Sequence, residues 1–186
     1  NPVPEDFTSH YDRAEQGRVV DYVIIMGYDE HNGSSLEAGS VSSYEFVKEG
    51  IEETIKEVPA EKVINGIPFF TRLWSETPKT QEELNQEAGT EAADYPMKVT
   101  SDALGMSTAR VKISQAGAET TLDETTGNNY ATWEADGVTY AIWLEDATSI
   151  EPKLQLMKEN KLAGTAAWAL GQESSDIWDL ILKYVN

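Results

Sequence analysis

The chain has 186 residues, a formal net charge of −19, 40% hydrophobic residues and no cysteine. Its acidity excludes nucleic acids and anionic membranes as expected partners because both need a basic surface, and the lack of cysteine excludes disulfides, thiolate zinc sites and iron–sulfur clusters. The apolar content is sufficient for a folded core. No segment approaches the roughly 20 apolar residues of a membrane span. The length also lies below the roughly 200 residues of a complete (β/α)8 barrel.

The first strong pattern is a nearly continuous apolar run from Val19 to Met26. It predicts a strand that is buried on both faces and is followed by a polar loop, residues 27–33. Apolar residues then recur at steps of three and four over residues 43–58, which predicts a helix that ends at Pro59. Residues 62–70 predict a second buried strand. Strand, helix and strand in this order form a βαβ unit with parallel strands.

The pattern changes after residue 74. An acidic stretch with few apolar residues predicts a solvated loop or frayed helix, and a helix is predicted over residues 107–116. Three short β runs follow, and the Asp136-Gly137 pair between the last two is typical of a tight hairpin. We therefore predict a small α+β insertion over residues 75–146. Its predicted strands are Glu119–Leu122, Tyr130–Glu134 and Thr139–Leu144.

The α/β pattern resumes after the insertion. Ile150, Leu154 and Met157 predict a helix, residues 162–170 predict a third buried strand, and residues 177–184 predict a final helix. The prediction is thus an α/β fold with an insertion after the second strand. Residues 1–74 and 147–186 form the main domain in this prediction, and residues 75–146 form the inserted one.

Several side chains suited to chemistry follow the predicted strands. In parallel α/β proteins, functional groups cluster at the carboxyl ends of the strands. Sugars present apolar faces to aromatic rings and hydroxyls to carboxylates, so a tyrosine, carboxylates and tryptophans at one edge favour a carbohydrate site. Two alternatives stay open: Tyr28-Asp29 as a simple turn, and Trp168 as a packing residue. The candidates are Met26, Tyr28, Asp29, Glu30, Phe70, Arg72, Trp74, Trp168, Gln172 and Glu173.

The other aromatic and histidine residues favour structural roles. Trp178 lies on the apolar stripe of a predicted helix and is assigned to the core. The aromatic residues between 130 and 143 are assigned mostly to the core of the inserted sheet. His10 and His31 do not form a metal-binding pair, and neither a metal nor another cofactor is expected.

Four blocks of sequence occur in an order and spacing that are typical of one enzyme family. They are residues 20–31, with the ending Met26-Gly27-Tyr28-Asp29, and residues 59–74, 142–146 and 164–168. These blocks resemble family 18 glycoside hydrolases, the chitinase-like enzymes, and especially their bacterial cell-wall and spore-associated members. The resemblance implies the C-terminal part of a (β/α)8 barrel, strands six to eight, with the insertion between strands seven and eight. It also implies an extracellular, cell-surface or spore-associated location in a bacterium.

The resemblance further implies substrate-assisted, retaining hydrolysis of β-1,4-linked N-acetylglucosamine polymers, either chitin or peptidoglycan-like. Tyr28 would donate a hydrogen bond to the acetamido carbonyl that attacks the anomeric carbon, and Asp29 would hold a hydroxyl of the distorted sugar. Met26 would pack on the floor of the site and Trp168 under the pyranose ring. The remaining predicted substrate contacts are Glu30, Arg72 and Trp74.

One catalytic element of that family is missing from the sequence. No Asp-x-x-Asp-x-Asp-x-Glu motif occurs, although its glutamate protonates the leaving oxygen, a contribution of roughly 10²–10⁴ in rate. Residues 1–4 resemble the exit of the fifth strand, so we expect strands one to four to precede Asn1 in a longer parent protein. The chain alone is then expected to be inactive. It is also expected to self-associate or to pair with the missing N-terminal half, because its outer strands have unpaired edges.

Two other classes of function stay open. A non-catalytic carbohydrate-binding module could use the same platform of Tyr28, Asp29 and Trp168, and a glutamine or leucine in place of the upstream glutamate would favour it. An interaction or scaffold domain with no sugar site is the other alternative. A flat titration with N-acetylglucosamine oligomers would favour the scaffold.

Overall fold

The computed structural model describes residues 12–185, so His10 and the strand exit expected at residues 1–4 lie outside the described residues. Within the described part, eight strands form two sheets that are flanked by helices. The strands are β1 (Val23–Met26), β2 (Val63–Pro68), β3 (Phe70–Pro78), β4 (Met97–Gly105), β5 (Thr121–Asp123), β6 (Asn128–Ala135), β7 (Val138–Leu144) and β8 (Gly164–Trp168). The α-helices are α1 (Arg13–Val19), α2 (Tyr44–Ile55), α3 (Gln81–Gln86), α4 (Met106–Ala116), α5 (Ala147–Glu159) and α6 (Ile177–Val185).

The first sheet is parallel and has the strand order β1-β2-β8. The helix α2 connects β1 to β2, which confirms the predicted βαβ unit and the α/β class. One face of the sheet is covered: Ile25 packs with Val47 and Ile51 of α2, and Ile67 packs in a cluster with residues of α5 and α6. This helix-covered face contains the main core of the protein.

The opposite face of the parallel sheet is open. Ile24, Met26 and Trp168 are 57%, 58% and 60% exposed. The prediction that β1 and β8 are buried on both faces is therefore wrong for the described residues, and only β2, the central strand, has the predicted burial. The physical reason is position: β1 and β8 are the outer strands of a three-stranded sheet whose second face no described element covers, and the strands do not close into a barrel.

The second sheet is antiparallel and has the strand order β4-β3-β7-β6-β5. Ala109 and Ile113 of α4 pack on Ala131, Ile142 and Leu144 of this sheet and form a second core. Its first strand begins at Phe70, directly after β2, so residues 70–74 belong to the antiparallel sheet rather than to the first domain of the prediction.

Residues 70–144, which contain the antiparallel sheet and α4, are called the second unit. The sequence predicts some of its elements and misses others. The helix predicted over residues 107–116 is α4, and the Asp136-Gly137 turn has positive φ angles of 53° and 76° at its two residues, as a tight hairpin requires. The strand β4 was not predicted, because it lies in the stretch assigned to a loop. No helix among residues 12–185 is long and apolar enough to cross a membrane.

The aromatic residues assigned to packing divide into two groups. In the antiparallel sheet, Tyr130 lies against Trp143 with ring centroids 4.6 Å apart, and Trp133 stacks on Tyr140 at 5.5 Å. Trp178 contacts Phe69 edge to face at 5.3 Å but stays 37% exposed, so it lies at the margin of the core and not inside it.

Candidate active site at the carboxyl edge of the parallel sheet

The chain turns sharply where β1 ends. The amide of Gly27 donates a 3.0 Å hydrogen bond to the carbonyl of Gly66. A Cβ atom on Gly27 would lie 2.6 Å from Oδ1 of Asn65 and 2.8 Å from that same carbonyl, so only glycine fits. Two residues later, Asp29 has a φ of 62°, a left-handed conformation that is costly for a residue other than glycine. The surrounding structure must therefore hold this corner in place.

Tyr28 lies inside the corner. Its ring contacts Phe70 edge to face, with centroids 6.0 Å apart, and a Cβ on Gly66 would come within 3.2 Å of its Cε1 atom. Burial raises the pKa of the Tyr28 phenol above its usual value, and the negative charge of Asp29 raises it further. The hydroxyl therefore keeps its proton well beyond neutral pH and can act as a hydrogen-bond donor.

Met26 and Trp168 provide apolar surface on the open face of the sheet. Met26 is in register with Gly66 of β2, which is in register with Ala166 of β8, two residues before Trp168. Side chains at these positions share one face because alternate residues of a strand point the same way. Both side chains are more than half exposed, so they are accessible to a ligand at the edge where the Tyr28-Asp29 corner lies.

Glu30 and Arg72 both have protein partners. The Glu30 carboxylate accepts hydrogen bonds from the Ser43 amide at 2.7 Å and from the Ser43 hydroxyl at 2.9 Å, which fixes the start of α2. Nη1 of Arg72 donates to the Ser101 hydroxyl at 2.9 Å, while its buried Nε has no hydrogen-bond partner in the described part of the chain. Arg72 also lies close to Gly33, and thus beneath the loop that follows the corner.

Trp74 does not form part of the open surface. Its side chain is 1% exposed and its indole Nε1 donates to the carbonyl of Gly39 at 2.8 Å. This corrects the expectation that Trp74 contacts substrate: the residue lies inside β3, where the ring has no free face and serves as an anchor for the loop.

Gln172 and Glu173, the last two candidates, lie in the turn after β8. The Gln172 carbonyl accepts a hydrogen bond from the Met106 amide at 2.9 Å, so this residue ties the turn to α4. The Glu173 carboxylate accepts from the Gly171 amide at 2.6 Å. Backbone hydrogen bonds of this kind lower the pKa of the Glu173 carboxyl and keep it ionised.

The sequence analysis missed a buried polar network next to the corner. Lys153 of α5 and Glu145, both 1% exposed, form an ion pair with a 3.0 Å Nζ to Oε2 distance. Ser149 and Asn128 also donate to this carboxylate, at 2.8 Å and 3.0 Å. Burial raises the pKa of the Glu145 carboxyl, whereas Lys153 and the other donors oppose that shift. A signal existed in the sequence, since Lys153 lies on the same helical stripe as Ile150 and Met157.

The loop after the corner forms a shallow cleft against the second unit. A cavity of about 280 Å³ lies between residues 31–37 and the side chains of Glu91 and Tyr95. His31 faces Gly39 across this loop, and its Nδ1 lies 2.9 Å from the Ser40 carbonyl. Among residues 12–185, no group of three or more histidine or carboxylate side chains is placed to hold a metal ion.

Comparisons with known proteins give matches over nearly the whole chain. The family model "Glycosyl hydrolases family 18" matches residues 1–173. An uncharacterized glycosylase of Bacillus subtilis, YvbX, is 28% identical over 180 residues, which are 96% of this chain and 46% of the relative. The cortical fragment-lytic enzyme of the same organism is 29% identical over 178 residues, 95% of this chain and 37% of that enzyme.

A solved structure gives the same result at the level of the fold. A chitinase from Chromobacterium violaceum superposes with a TM-score of 0.77 at 26% identity, over 94% of this chain and 49% of the chitinase. The chain thus spans less than half the length of each of these three proteins.

Proposed function

Because the chain belongs to family 18 of the glycosyl hydrolases, we propose that it provides the Tyr28-Asp29 part of a glycosidase site for N-acetylglucosamine-containing polymers. The observation that carries this proposal is the hydrogen-bonded corner after β1, where a protonated tyrosine and a carboxylate are adjacent. Support also comes from the matched relatives, which include a chitinase and a cortical fragment-lytic enzyme. Chitin and peptidoglycan-like glycans are the proposed substrates.

The proposed reaction is substrate-assisted, retaining hydrolysis. As the acetamido oxygen of the substrate attacks the anomeric carbon, positive charge spreads over the acetamido group and the sugar ring. The Tyr28 hydroxyl orients this group by donating a hydrogen bond to its carbonyl oxygen, and the Asp29 carboxylate binds a hydroxyl of the distorted sugar. This hydrogen bond holds the acetamido oxygen in the position from which it attacks the anomeric carbon.

Met26 and Trp168 are the proposed apolar part of the site. Their exposed side chains leave free surface on which the C–H face of a pyranose ring can pack. In this proposal Glu30 and Arg72 act indirectly, through other parts of the protein. Glu30 holds the start of α2, and Arg72 supports the loop near Gly33.

We further propose that β1, β2 and β8 are strands six to eight of a (β/α)8 barrel, with residues 75–146 as an insertion between strands seven and eight. The open face with Ile24 and Met26 then faces the barrel interior. The general acid must come from another segment, because the Asp-x-x-Asp-x-Asp-x-Glu motif does not occur among these 186 residues. Action at the cell surface or on spores is part of this proposal, and its support is the likeness to the cortical fragment-lytic enzyme and to a spore cortex-lytic enzyme of Bacillus megaterium.

Two assays of the purified chain test the proposal. Titration with N-acetylglucosamine oligomers is expected to change the tryptophan fluorescence of the wild-type chain, to have no effect on Trp168→Phe and to retain its effect on Trp178→Phe. No hydrolysis of a chromogenic oligomer is expected. A response that persists in Trp168→Phe, or turnover above that of Tyr28→Phe, would contradict the proposal.

A longer form of the protein separates catalysis from binding alone. The reading frame upstream of Asn1 is expected to encode the Asp-x-x-Asp-x-Asp-x-Glu motif. The longer protein should then hydrolyse the chromogenic oligomer, and Tyr28→Phe should reduce kcat by about 10²-fold, because the attacking acetamido group loses the hydrogen bond that orients it. A glutamine or leucine in place of the upstream glutamate, with oligomer binding retained, would make the chain part of a carbohydrate-binding protein instead.

A further inference from the structure

The Glu145–Lys153 ion pair is connected to the Tyr28-Asp29 corner through the side chain of Ser42. Nζ of Lys153 donates to the carbonyl of Ser42 at 2.5 Å and to the Ser42 hydroxyl at 2.9 Å. The Ser42 hydroxyl in turn donates to the carbonyl of Gly27 at 2.6 Å. That carbonyl belongs to the peptide bond between Gly27 and Tyr28, so the network ends at the backbone of the proposed catalytic tyrosine.

The direction of these hydrogen bonds follows from the chemistry of the groups. An ammonium group can only donate, so the Ser42 oxygen must accept from Lys153 and its own proton is free to point elsewhere. The Gly27 carbonyl, 2.6 Å away, receives that proton. Lys153 thereby sets the orientation of the serine hydroxyl, and Glu145 in turn holds Lys153.

The far side of the corner is held by the neighbouring residues of the same loop. The Glu30 amide donates to the Val41 carbonyl at 3.1 Å, and the Glu30 carboxylate accepts from Ser43. The corner is therefore bonded to residues 41–43 both before and after Asp29. Such bonds on both sides are what a left-handed aspartate needs in order to persist.

We propose that Lys153 is a positioning residue, which is held by Glu145 and acts through Ser42 to fix the Tyr28-Asp29 corner in the geometry that a sugar substrate requires. The role in substrate binding rests on the function proposed above, but the effect on the corner does not. The network also includes Asn128 of the antiparallel sheet, which accepts a 2.9 Å hydrogen bond from the Ser40 hydroxyl. The second unit and α5 thus both help to hold the loop between β1 and α2, which contains Ser40 and Ser42.

The test measures Tyr28 itself. Chains with ¹³C-labelled tyrosine rings are titrated with alkali by NMR, and the Tyr28 resonance is assigned by its absence from Tyr28→Phe. In the wild-type chain the Tyr28 pKa is expected above 10, because of burial and the charge of Asp29. In Ser42→Ala the corner loosens, so the Tyr28 pKa is expected to fall towards 10.

The matched control is Thr54→Val. Thr54 is also fully buried, and its hydroxyl also donates to a backbone carbonyl, that of Gly50, at 2.6 Å, but it lies in α2 away from the corner. This variant loses a similar hydrogen bond and is expected to keep the wild-type Tyr28 pKa. If losing a buried hydroxyl had only a general structural effect, the Tyr28 pKa would change equally in both variants or in neither.

A second variant keeps the test decisive if Ser42→Ala does not fold. Glu145→Leu/Lys153→Met removes both charges together and leaves neither one unpaired. It is expected to lower the Tyr28 pKa in the same direction as Ser42→Ala. A wild-type Tyr28 pKa in the folded variants would overturn the proposal. If the pKa falls as expected but the wild-type chain binds no N-acetylglucosamine oligomer, the positioning role stands and the proposed function fails.

Discussion

The indole Nε1 of Trp74 donates a 2.8 Å hydrogen bond to the carbonyl oxygen of Gly39. This bond joins a strand of the antiparallel sheet to the loop that follows the Tyr28-Asp29 corner. Gly39 itself is enclosed, since a Cβ there would lie 2.5 Å from the ring of His31. The second unit thereby restrains the loop that carries the proposed site.

Replacing Trp74 by phenylalanine should therefore destabilise the chain. The change removes the indole donor and leaves the Gly39 carbonyl buried without that partner, a cost of about 1–3 kcal/mol. Urea unfolding measures the loss. Trp133→Phe is the matched control, because Trp133 is only half-buried and its stacking on Tyr140 needs a ring but no indole nitrogen. Equal stabilities of the two variants would contradict the anchoring role of Trp74.

The Tyr28 phenol should titrate above pH 10 in the folded chain. Burial is the larger cause and the charge of Asp29 the smaller one, so Asp29→Asn should lower the Tyr28 pKa only in part. A pKa that is raised in the folded state gives stability that is fully present below pH 10 and is lost as the pH rises through the folded value. Tyrosine NMR and urea unfolding between pH 9 and about 12 measure the two effects. A Tyr28 pKa at or below 10 would contradict the partly buried position of the Tyr28 ring beside Asp29.

Lys153→Met should be among the most destabilising single substitutions in the chain. It leaves the Glu145 carboxylate buried without its counter-ion, which costs about 3–5 kcal/mol when one partner of a buried pair is removed. Urea unfolding measures this loss. The double variant Glu145→Leu/Lys153→Met should recover most of the stability, because no buried charge is left unpaired. If the double variant is as unstable as Lys153→Met alone, the loss comes from packing and not from the unpaired charge.

The sequence predicts the parts of this fold that local patterns determine. The run at residues 62–70 predicts the central strand, and the Asp136-Gly137 pair predicts its hairpin, because burial on both faces and positive φ angles each restrict the residue types allowed. The strand β4 escaped prediction because its exposed face is polar, and Lys98 and Thr100 on that face weaken its apolar pattern. Propensity alone is a weak guide to such strands.

The candidate site is predicted less completely, for a different physical reason. Tyr28 and Asp29 follow a strand directly, so the rule that functional groups lie at carboxyl strand ends locates them. The contact between Lys153 and Ser42 joins residues 111 positions apart, and no periodicity in the sequence encodes it. Trp74 was assigned to the ligand surface because it follows the carboxyl end of the second predicted strand, whereas in the structure it lies inside β3 of the antiparallel sheet.

The open face of the parallel sheet should make the chain self-associate. Ile24 and Met26 leave apolar side chains exposed on the outer strand β1, and no strand among residues 12–185 pairs with its outer edge, which can therefore pair with another chain. Size-exclusion chromatography with light scattering is expected to give a mass above the 20.6 kDa of one chain, and Ile24→Lys should shift it towards the monomer. Val111→Lys is the control, since Val111 is 52% exposed on α4, away from this face. A monomeric wild-type chain, or an equal effect of the two lysine variants, would show that this face does not drive association.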